Sequence, residues 1–590
     1  MFFNIQMAVL FFANIYVETV MLSNLASVED LSGNAGEYLS AVVVVLLFSF
    51  LPIRSIGHSE TNTPGTSLLK WQTKWQVLKY PIFLAAVILE IALLMTTNVT
   101  YSPFGNYVIL LRQEYRIYQM RLQIADSNSE SAAETFYSTG LTDYREKDSS
   151  LAATPNIILI FTEGLSQNII DDEREIMPNV ASLEEESLNF TEYYNHTFAT
   201  YRGLIGQLYS GYQMDNLDEN NLISLQSILS DQGYHTVFIN TEPNNEDFSD
   251  YLASMGFDEI IGETTDTLSG TADTYSDKEA YKLLWDEAEE LSAAEEPFFL
   301  VIYTFGTHAS FDSQDEIFED GSDSELNKFY NADYQFGEFF EKFKKSDLAN
   351  NTILIFTADH AAYQDSKFTS AFPDYKRFSS QLDEIPLAIY YQGIKAETIS
   401  VNGRNSLCLA PTILDLLDIS APNYFLGTSL FADSSEDVSF DTVFYSENNP
   451  VSTVNGIISS LSESDETWFD ENLRLYFTAK LSSPSESYLE SVNSLTVRTT
   501  TSLSSDGTLL EITYTPAEDE NYEQYWFPVW SAEDGQDDIV WYVAKKKWNG
   551  SWHATVTLSD HTLHGELNIH VYGGETEAEE CLEVSSIVLP

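Results

Sequence analysis

Five apolar runs recur between residues 156 and 391, and each has the length of a buried β-strand. They are Ile157–Phe161, Thr236–Ile239, Phe298–Tyr303, Ile353–Thr357 and Leu387–Tyr391. Stretches with apolar residues at helical spacing separate them, as in KFYNADYQFGEFFEKF. Strands without polar alternation need helices against both faces of their sheet, so the pattern predicts an α/β fold. Functional sites in such folds form at the carboxyl ends of the strands.

The first 100 residues contain three longer apolar segments, Met1–Leu22, Tyr38–Ile53 and Tyr80–Thr97. Each is near the roughly 20 residues that cross about 30 Å of hydrocarbon. Basic residues gather in the loop after the second segment: Arg54, Lys70, Lys74 and Lys79. Because basic loops stay in the cytoplasm, we predict three membrane helices with all later residues outside. A cleaved signal peptide is the alternative for the first segment, although that segment lacks a basic start and a small-residue cleavage site.

The stretch YVILLRQEYRIYQMRLQI, from Tyr107, repeats apolar residues at near-helical spacing between basic ones. This pattern fits a helix along the membrane surface, and a plain connecting helix fits it equally well. A polar linker, DSNSESAAETFYSTG, follows. We predict membrane helices in 1–100, an interfacial helix and linker in 101–153, the α/β domain in 154–435, a linker in 436–490, a β-sandwich in 491–575 and a tail in 576–590.

From about Ser491 the pattern changes to short alternating stretches with many aromatic residues, which predicts a small β-sandwich. Three histidines there, His561, His564 and His570, lack acidic or cysteine partners at metal-ligand spacing, so we expect ordinary strand positions. Five tryptophans are expected mostly in the core, with one or two stacking on wall sugars: Trp526, Trp530, Trp541, Trp548 and Trp552.

Charge and cysteine content exclude several classes of function. The formal net charge is −63, which argues against binding to nucleic acid or to an anionic surface. Only two cysteines occur, Cys408 and Cys581, so the chain has neither a disulfide framework nor a thiolate metal cluster. The cores must therefore hold by packing.

Acidic and imidazole side chains follow two of the predicted strands. Glu163 comes after the first strand in LIFTEG, and Asp359 and His360 end a later one in ILIFTADH. Carboxylate and imidazole ligands suit Mg²⁺, Mn²⁺ or Zn²⁺, and the absence of nearby cysteine argues against a structural zinc site. Each residue alone also fits a helix cap or a loop.

Thr200 lies between these segments in NHTFATYRGLIGQLYSGY, where it precedes a glycine-containing helical stretch. Free backbone N–H groups at a helix start favour an anionic group. The hydroxyl fits a simple N-cap, and beside a metal ion it also fits a nucleophile.

Several motifs occur together in one order: FTEG with Glu163, MPNVASL, FATYRGL with Thr200, TFGTHASF with His308, and FTADH. With the later DEIPLAIYYQG and FLGTSLF, they resemble the extracellular domain of lipoteichoic acid synthases, in the alkaline phosphatase and sulfatase superfamily. The resemblance covers roughly Asn156 to Asp433. The C-terminal HTLHGELNIHVYG resembles the GBS Bsp-like repeat of Gram-positive surface proteins.

The resemblance implies one divalent cation, most often Mn²⁺, held by Glu163, Thr200, Asp359 and His360. It implies Thr200 as nucleophile and His308 near the transferred phosphoryl group. We also expect His308 and Arg202 to contact substrate. A membrane anchor with an outward-facing catalytic domain is implied as well.

The chain departs from the family in two places. Lipoteichoic acid synthases typically have five membrane spans where we predict three, and INTEPNNEDF at Ile239–Phe248 stands where the family usually has a Trp and an Arg. Formylglycine sulfatase chemistry is disfavoured, because no Cys or Ser lies in a C/S-x-P-x-R context.

These features predict a membrane-anchored phosphotransferase on the outer leaflet. We expect it to move a glycerophosphate-type group from a phospholipid such as phosphatidylglycerol to a cell-envelope glycolipid or polymer, through a phosphothreonine. A hydrolase of phosphate or sulfate esters and a catalytically inactive wall-organising protein are the alternatives. The C-terminal domain is expected to bind the cell wall.

Overall fold

The computed structural model describes residues 103–588 with short gaps, and five positions before residue 18. The gaps are 126, 146, 153, 215–221, 263–273, 295, 309–310, 314, 447–449, 486, 490–497, 504–507, 517–521, 532–537, 548–550, 562–565 and 575–579. The three predicted membrane segments fall almost wholly outside the described residues. Among those that are described, no helix combines the length and apolarity needed to cross a bilayer.

Eight strands in the described part of the chain form one mixed sheet, in the order β4-β3-β5-β1-β6-β7-β2-β8. They are β1 (Asn156–Thr162), β2 (Leu188–Thr191), β3 (His235–Ile239), β4 (Glu259–Ile261), β5 (Phe298–Thr304), β6 (Thr352–Ala358), β7 (Leu387–Tyr390) and β8 (Glu397–Ser400). Strands β4, β3, β5, β1 and β6 run parallel, and β7 runs antiparallel to β6. The carboxyl ends of β1, β3, β5 and β6 therefore meet at one edge.

Twelve helices are described: α1 (Pro103–Ala125), α2 (Ser129–Phe136), α3 (Gln167–Ile170), α4 (Pro178–Glu185), α5 (Thr200–Tyr209), α6 (Leu225–Asp231), α7 (Glu246–Ala253), α8 (Asp277–Ala293), α9 (Ser324–Lys344), α10 (Ser366–Ala371), α11 (Leu409–Leu416) and α12 (Glu463–Ala479). Every residue of β1, β5 and β6 is buried, which requires cover on both faces of the sheet. The predicted α/β fold is confirmed, and all five predicted strand segments are strands. The shorter β2, β4 and β8 were missed because they have only three or four residues, several of them partly exposed.

Residues 436–490, predicted as a linker, carry regular structure. Short strands β9 (Val443–Phe444), β10 (Val451–Ser452) and β11 (Ser459–Ser460) pair with one another, and α12 follows. Polar residues of SSLSESDETWFDEN begin α12 and conceal its apolar side in the sequence. That side buries Phe469, Leu473 and Tyr476 completely in the same core as the sheet.

The C-terminal residues form a separate compact unit, Ser485–Pro590. Its described strands are β12 (Thr499–Leu503), β13 (Leu509–Tyr514), β14 (Gln524–Ser531), β15 (Val540–Val543), β16 (Lys545–Lys546), β17 (Trp552–Thr557), β18 (Glu566–Gly574) and β19 (Glu580–Val588). They form two four-stranded sheets, ordered β12-β13-β17-β16 and β15-β14-β18-β19, which share one hydrophobic cluster. Strand β19 lies in the predicted tail 576–590, where it completes the second sheet by pairing with β18.

Of the four described tryptophans of this unit, two are buried, as predicted, and two are not. Trp552 lies in the core cluster, and Trp530 is 8% exposed on the opposite face of its sheet, beside the more exposed Trp526 and Trp541. Strand alternation explains this, because neighbouring positions already fill the core. Trp548 and His564 lie outside the described residues.

The other two of these three histidines have close side-chain neighbours. His561 is buried, and its Nε2 lies 3.0 Å from the Tyr542 hydroxyl. His570 lies against Trp530, with ring centroids 4.6 Å apart. Both histidines therefore occupy sites within or beside aromatic clusters.

Two truncations distinguish the unit boundary from the end of the core. A chain that ends at Pro484 should keep the melting behaviour of the first unit, because the second has its own core. A chain that ends at Asp470 should be destabilised by several kcal/mol, since it loses the buried Leu473 and Tyr476. Differential scanning calorimetry measures both, and equal melting temperatures for the two chains would contradict the boundary.

Candidate functional site

Three chemically active side chains converge where β1 and β6 end. Glu163 follows β1, and Asp359 and His360 follow β6, which pairs with it in parallel. His360 Nε2 lies 3.6 Å from Glu163 Oε1 and 3.4 Å from Asp359 Oδ2. One ligand atom from each residue lies within 4.8 Å of the other two, and all three residues are buried.

The free lone pairs of this cluster point toward one another. Asp359 Oδ1 accepts hydrogen bonds from the backbone N–H of Gly164 at 2.9 Å and of His360 at 2.7 Å. Asp359 Oδ2 is buried and has no hydrogen-bond partner among the described residues. His360 Nδ1 donates to the Ala361 carbonyl at 2.8 Å, which leaves Nε2 with its lone pair facing the carboxylates. An orphaned carboxylate oxygen beside an oriented imidazole nitrogen is what a divalent cation needs.

Burial and mutual repulsion shift the pKa values in this cluster. Burial raises the pKa of Asp359 to about 7, and the Glu163 carboxylate adds to that shift. Burial also raises the pKa of Glu163. The interactions with His360 and His308 have the larger, opposite effect, so the pKa of Glu163 is lowered. Burial lowers the pKa of His360, yet the two carboxylates outweigh this effect, so its pKa is raised.

Thr200 lies beside this cluster at the first position of α5. Its Oγ1 donates to Glu163 Oε2 at 2.9 Å. The helix N-cap is Ala199, whose φ of 78° is unusual for a residue with a side chain, and no side chain caps the helix. The Thr200 hydroxyl therefore hydrogen-bonds to the acidic cluster and does not cap the helix. Such local strain is commonly found at functional residues.

A close approach of α5 to β6 positions Thr200. A Cβ at Gly203 would lie 2.4 Å from the Asp359 carbonyl oxygen, so glycine is required at this contact. Gln207 Nε2 donates to the carbonyls of Ala358 at 3.0 Å and Asp359 at 3.1 Å. These contacts fix the helix against the strand that carries two of the candidate ligands.

Tyr303 is a site residue that the sequence interpretation missed. Its hydroxyl donates to Glu163 Oε2 and lies 3.5 Å from Thr200 Oγ1. The side chain is fully buried on β5, the parallel neighbour of β1. The sequence offered one signal for this role, because Tyr303 lies one residue before the end of a parallel strand. A tyrosine within an apolar run is, however, usually interpreted as a core residue.

His308 is near the acidic cluster in the loop after β5. Its ring stacks on Phe305, with centroids 4.7 Å apart, and lies 5.5 Å from the Phe311 ring. Burial lowers the pKa of His308 more than the Glu163 carboxylate raises it. A lowered pKa favours the neutral form of the His308 imidazole.

A buried carboxylate anchors the loop that carries His308. Asp277 Oδ1 accepts the backbone N–H of Gly306 at 3.1 Å, and its Oδ2 accepts Asn331 Nδ2 at 3.2 Å. Asn331 Oδ1 in turn accepts the backbone N–H of Glu316 at 3.2 Å. A Cβ at position 306 would lie 2.1 Å from Asp277 Oδ2, so glycine at this position lets the loop come this close to the Asp277 carboxylate. Helices α8 and α9 thus hold both sides of this loop.

Arg202 and the segment Ile239–Phe248 border the site. The half-buried Arg202 lies two residues after Thr200, and its charge opposes protonation of His360. In the segment after β3, Phe248 packs against Tyr201 and Tyr303, with centroids 5.6 Å apart in each pair. Aromatic rings therefore occupy this flank, where the sequence resemblance leads one to expect Trp and Arg.

Comparison with known families assigns two regions of the chain. Residues 155–419 match the Sulfatase family model, and residues 500–585 match the GBS Bsp-like repeat. The chain therefore contains a sulfatase domain followed by a GBS Bsp-like repeat, and both predicted resemblances are confirmed.

Its relatives include lipoteichoic acid synthases and phosphoglycerol transferases. The chain is 24% identical to lipoteichoic acid synthase 2 of Bacillus subtilis over 56% of each chain. It is 23% identical to phosphoglycerol transferase I of Xanthomonas campestris over 60% of this chain and 55% of that one. It thus spans little more than half the length of these relatives. A lipoteichoic acid synthase structure from Listeria monocytogenes aligns with 62% of this chain and 98% of that one, at 17% identity and a TM-score of 0.47.

Removing the Asp277 anchor should loosen the His308 loop without affecting the acidic cluster. Asp277→Ala leaves the Gly306 N–H and the Asn331 amide unpaired, which costs about 1–3 kcal/mol. Backbone amides from Phe305 to Phe311 should exchange hydrogen faster by mass spectrometry, while Mn²⁺ affinity by calorimetry stays within about twofold. Asp277→Asn keeps one hydrogen-bond acceptor, so its hydrogen-exchange rate should lie between those of the wild type and of Asp277→Ala. Unchanged exchange in Asp277→Ala would contradict the anchoring role.

Proposed function

We propose that this chain is a metal-dependent phosphotransferase that moves a glycerophosphate-type group from a phospholipid to a cell-envelope glycolipid or polymer. One observation carries the proposal: the Thr200 hydroxyl donates to Glu163 beside a buried Glu, Asp and His cluster. A nucleophilic hydroxyl needs a nearby proton acceptor and nearby positive charge, and this arrangement supports both. The names of its relatives, lipoteichoic acid synthase and phosphoglycerol transferase, support a glycerophosphate-type group as the one transferred.

Glu163, Asp359 and His360, with Thr200, would hold one divalent cation, Mn²⁺ foremost, with Mg²⁺ or Zn²⁺ as alternatives. The orphaned Asp359 Oδ2 supports this assignment. When bound, such a cation would neutralise charge on the phosphoryl group and favour the ionised form of the threonine hydroxyl. The raised pKa of Asp359 supports the same view, because two buried carboxylates need a positive partner.

The chain's own residues account for the transfer in two displacements. In the first, Thr200 Oγ1 loses its proton toward Glu163, an Oγ1–P bond forms, and the P–O bond to diacylglycerol breaks. The departing oxygen takes up a proton, so diacylglycerol leaves as a neutral alcohol. In the second, an acceptor hydroxyl attacks the Thr200 phosphoester, and the threonine hydroxyl is regenerated.

His308 is proposed to exchange protons with the leaving and attacking oxygens. Its lowered pKa supports a role as proton acceptor for the incoming hydroxyl. Tyr303 is proposed to orient the Glu163 carboxylate, because it donates to the same oxygen as Thr200. Arg202 and His308 are proposed to contact the phosphoryl oxygens.

We also propose that the catalytic unit lies against the outer face of a membrane, held by the apolar segments in residues 1–100. Helix α1 supports this placement, because it exposes a row of large side chains at helical spacing: Leu111 52%, Tyr115 64%, Tyr118 58% and Leu122 45%. Arg112 and Arg121 adjoin this row in the sequence, which suits a phospholipid surface. The C-terminal unit is proposed to bind the cell wall.

Thr200 variants test the chemistry. With labelled phosphatidylglycerol and Mn²⁺, the wild-type chain should release diacylglycerol, and Thr200→Ala should lower that rate at least about a thousandfold. The variant should fold normally, because its hydroxyl bonds only to site residues. Thr200→Ser, which keeps a hydroxyl, is the matched control. With a slow acceptor, intact-mass spectrometry should find a phosphoester on Thr200.

Two results would redirect this mechanism. Near-normal turnover by Thr200→Ala would mean direct attack by water or acceptor. Free glycerol phosphate as the only product, whatever acceptor is present, would identify a hydrolase.

Cysteine labelling of intact cells tests the membrane orientation. Cys408 is buried and Cys581 is exposed, so the background carries Cys581→Ser. A membrane-impermeant reagent should modify Thr398→Cys, an exposed position on β8, and should leave Thr66→Cys in the basic loop unmodified. Strong labelling at position 66 would overturn the orientation.

A further inference from the structure

The second sheet of the C-terminal unit has two apolar faces. On the inner side of β14, Tyr525, Phe527 and Val529 fill the core. The alternate residues Trp526 and Trp530 project from the other side. Register places residues of the neighbouring strands on that same outer side, including Trp541 and Val543 of β15 and His570 and Tyr572 of β18. We call Trp526, Trp530, Trp541, His570 and Tyr572 the aromatic face.

The rings of the aromatic face form a continuous row across three strands. Centroid distances are 4.6 Å from Trp530 to His570, 6.5 Å from His570 to Tyr572 and 5.2 Å from Tyr572 to Trp541. Trp526 on β14 is the cross-strand partner of Tyr572 on β18 and therefore lies beside the row. The Trp541 side chain is 47% exposed. Trp526, His570 and Tyr572 are partly exposed, whereas Trp530 is only 8% exposed, so solvent reaches the Trp541 end of the row more than the Trp530 end.

The aromatic face lacks ionic groups in a chain that is otherwise rich in them. The chain has 91 acidic and 28 basic residues. None occurs at the outward positions of β14 or β15, or from Asn568 to Tyr572 on β18. The outward polar groups there are the Gln524 and Asn568 amides, the Tyr572 hydroxyl, the His570 ring nitrogens and the indole N–H groups, and the Cys581 thiol of β19 adjoins His570 and Tyr572. These donate and accept hydrogen bonds without charge.

The chemistry of this surface selects among possible occupants. An anionic polymer or nucleic acid would be repelled by a chain of net charge −63. An anionic membrane surface would require basic residues, and this face has none at the positions described above. A neutral polysaccharide fits both features, because the C–H faces of its rings stack on aromatic side chains while its hydroxyls reach the neutral polar groups.

We propose that the aromatic face is a binding site for a neutral glycan chain, with Trp541, Tyr572 and Trp526 as the stacking surface. It extends the wall-binding proposal to a defined set of residues and a ligand class. It is independent of the catalytic mechanism, because it uses no residue of the sulfatase domain.

Binding of the detergent-purified full chain to teichoic-acid-free peptidoglycan and to an N-acetylglucosamine hexamer tests the proposal. Trp541→Ala and Tyr572→Ala should each lower affinity about tenfold, the change that losing roughly 1.4 kcal/mol of ring contact produces. Trp468→Ala is the matched control, because this tryptophan is 38% exposed on α12 of the other unit. Thr200→Ala should bind as the wild type does, which separates glycan binding from catalysis.

Each outcome decides the proposal. Loss of affinity in the two face variants, with unchanged melting temperatures and normal binding by Trp468→Ala, supports it. It is overturned if the wild-type chain binds neither probe, if the face variants bind like the wild type, or if all three variants weaken equally.

Discussion

The burial of two carboxylates and an imidazole within 4.8 Å of one another is the constraint around which the first unit is organised. Such a group is unfavourable in an apolar interior unless every charge has a partner. The parallel alignment of β1 and β6 brings the residues together, and backbone N–H groups of Gly164 and His360 satisfy one oxygen of Asp359. Among the described residues the other oxygen has no hydrogen-bond partner, which leaves it able to bind a cation.

Conformational strain and close contacts concentrate at the same place. Ala199 has a φ of 78°, directly before the hydroxyl that contacts Glu163. Gly203 lets α5 touch the Asp359 backbone, and Gly306 lets the His308 loop reach Asp277. The left-handed φ of Ala199 costs free energy, and the two glycines lose more conformational entropy on folding than other residues would. These features make sense as the means of holding Thr200 and His308 in fixed positions beside the carboxylates.

The two units use aromatic residues for opposite purposes. In the first, α12 buries Phe469 and Tyr476 to complete the core, although its sequence begins as a polar run. In the second, β14 fills the core with Tyr525 and Phe527 and carries tryptophans on its other face. Composition alone does not separate these roles, because both segments are rich in rings. The orientation of each strand or helix decides which rings are left for a ligand.

The amino-acid pattern alone predicted five of the eight strands of the α/β sheet and the candidate ligands at the ends of two of them. Apolar runs of strand length between helical stretches can bury themselves in few other ways, and Glu163 and Asp359 follow such runs directly. The FTEG, TYRG and ADH motifs, in that order, carried the resemblance that the Sulfatase family model also finds over residues 155–419. Strands β9 to β11, helix α12 and strand β19 were missed, since polar residues obscure the apolar side of these elements.

Packing between distant elements brings the remaining residues to the acidic cluster. Tyr303 reads as core in the sequence, and Asp277 lies 29 residues before the Gly306 amide that it holds. Their roles arise from β5 lying beside β1 and from the packing of α8 against the loop after β5. Likewise, a one-residue change of register would exchange the buried and outward rings of β14. Local pattern specifies each element, whereas contacts between elements distant in the chain specify which side chains meet.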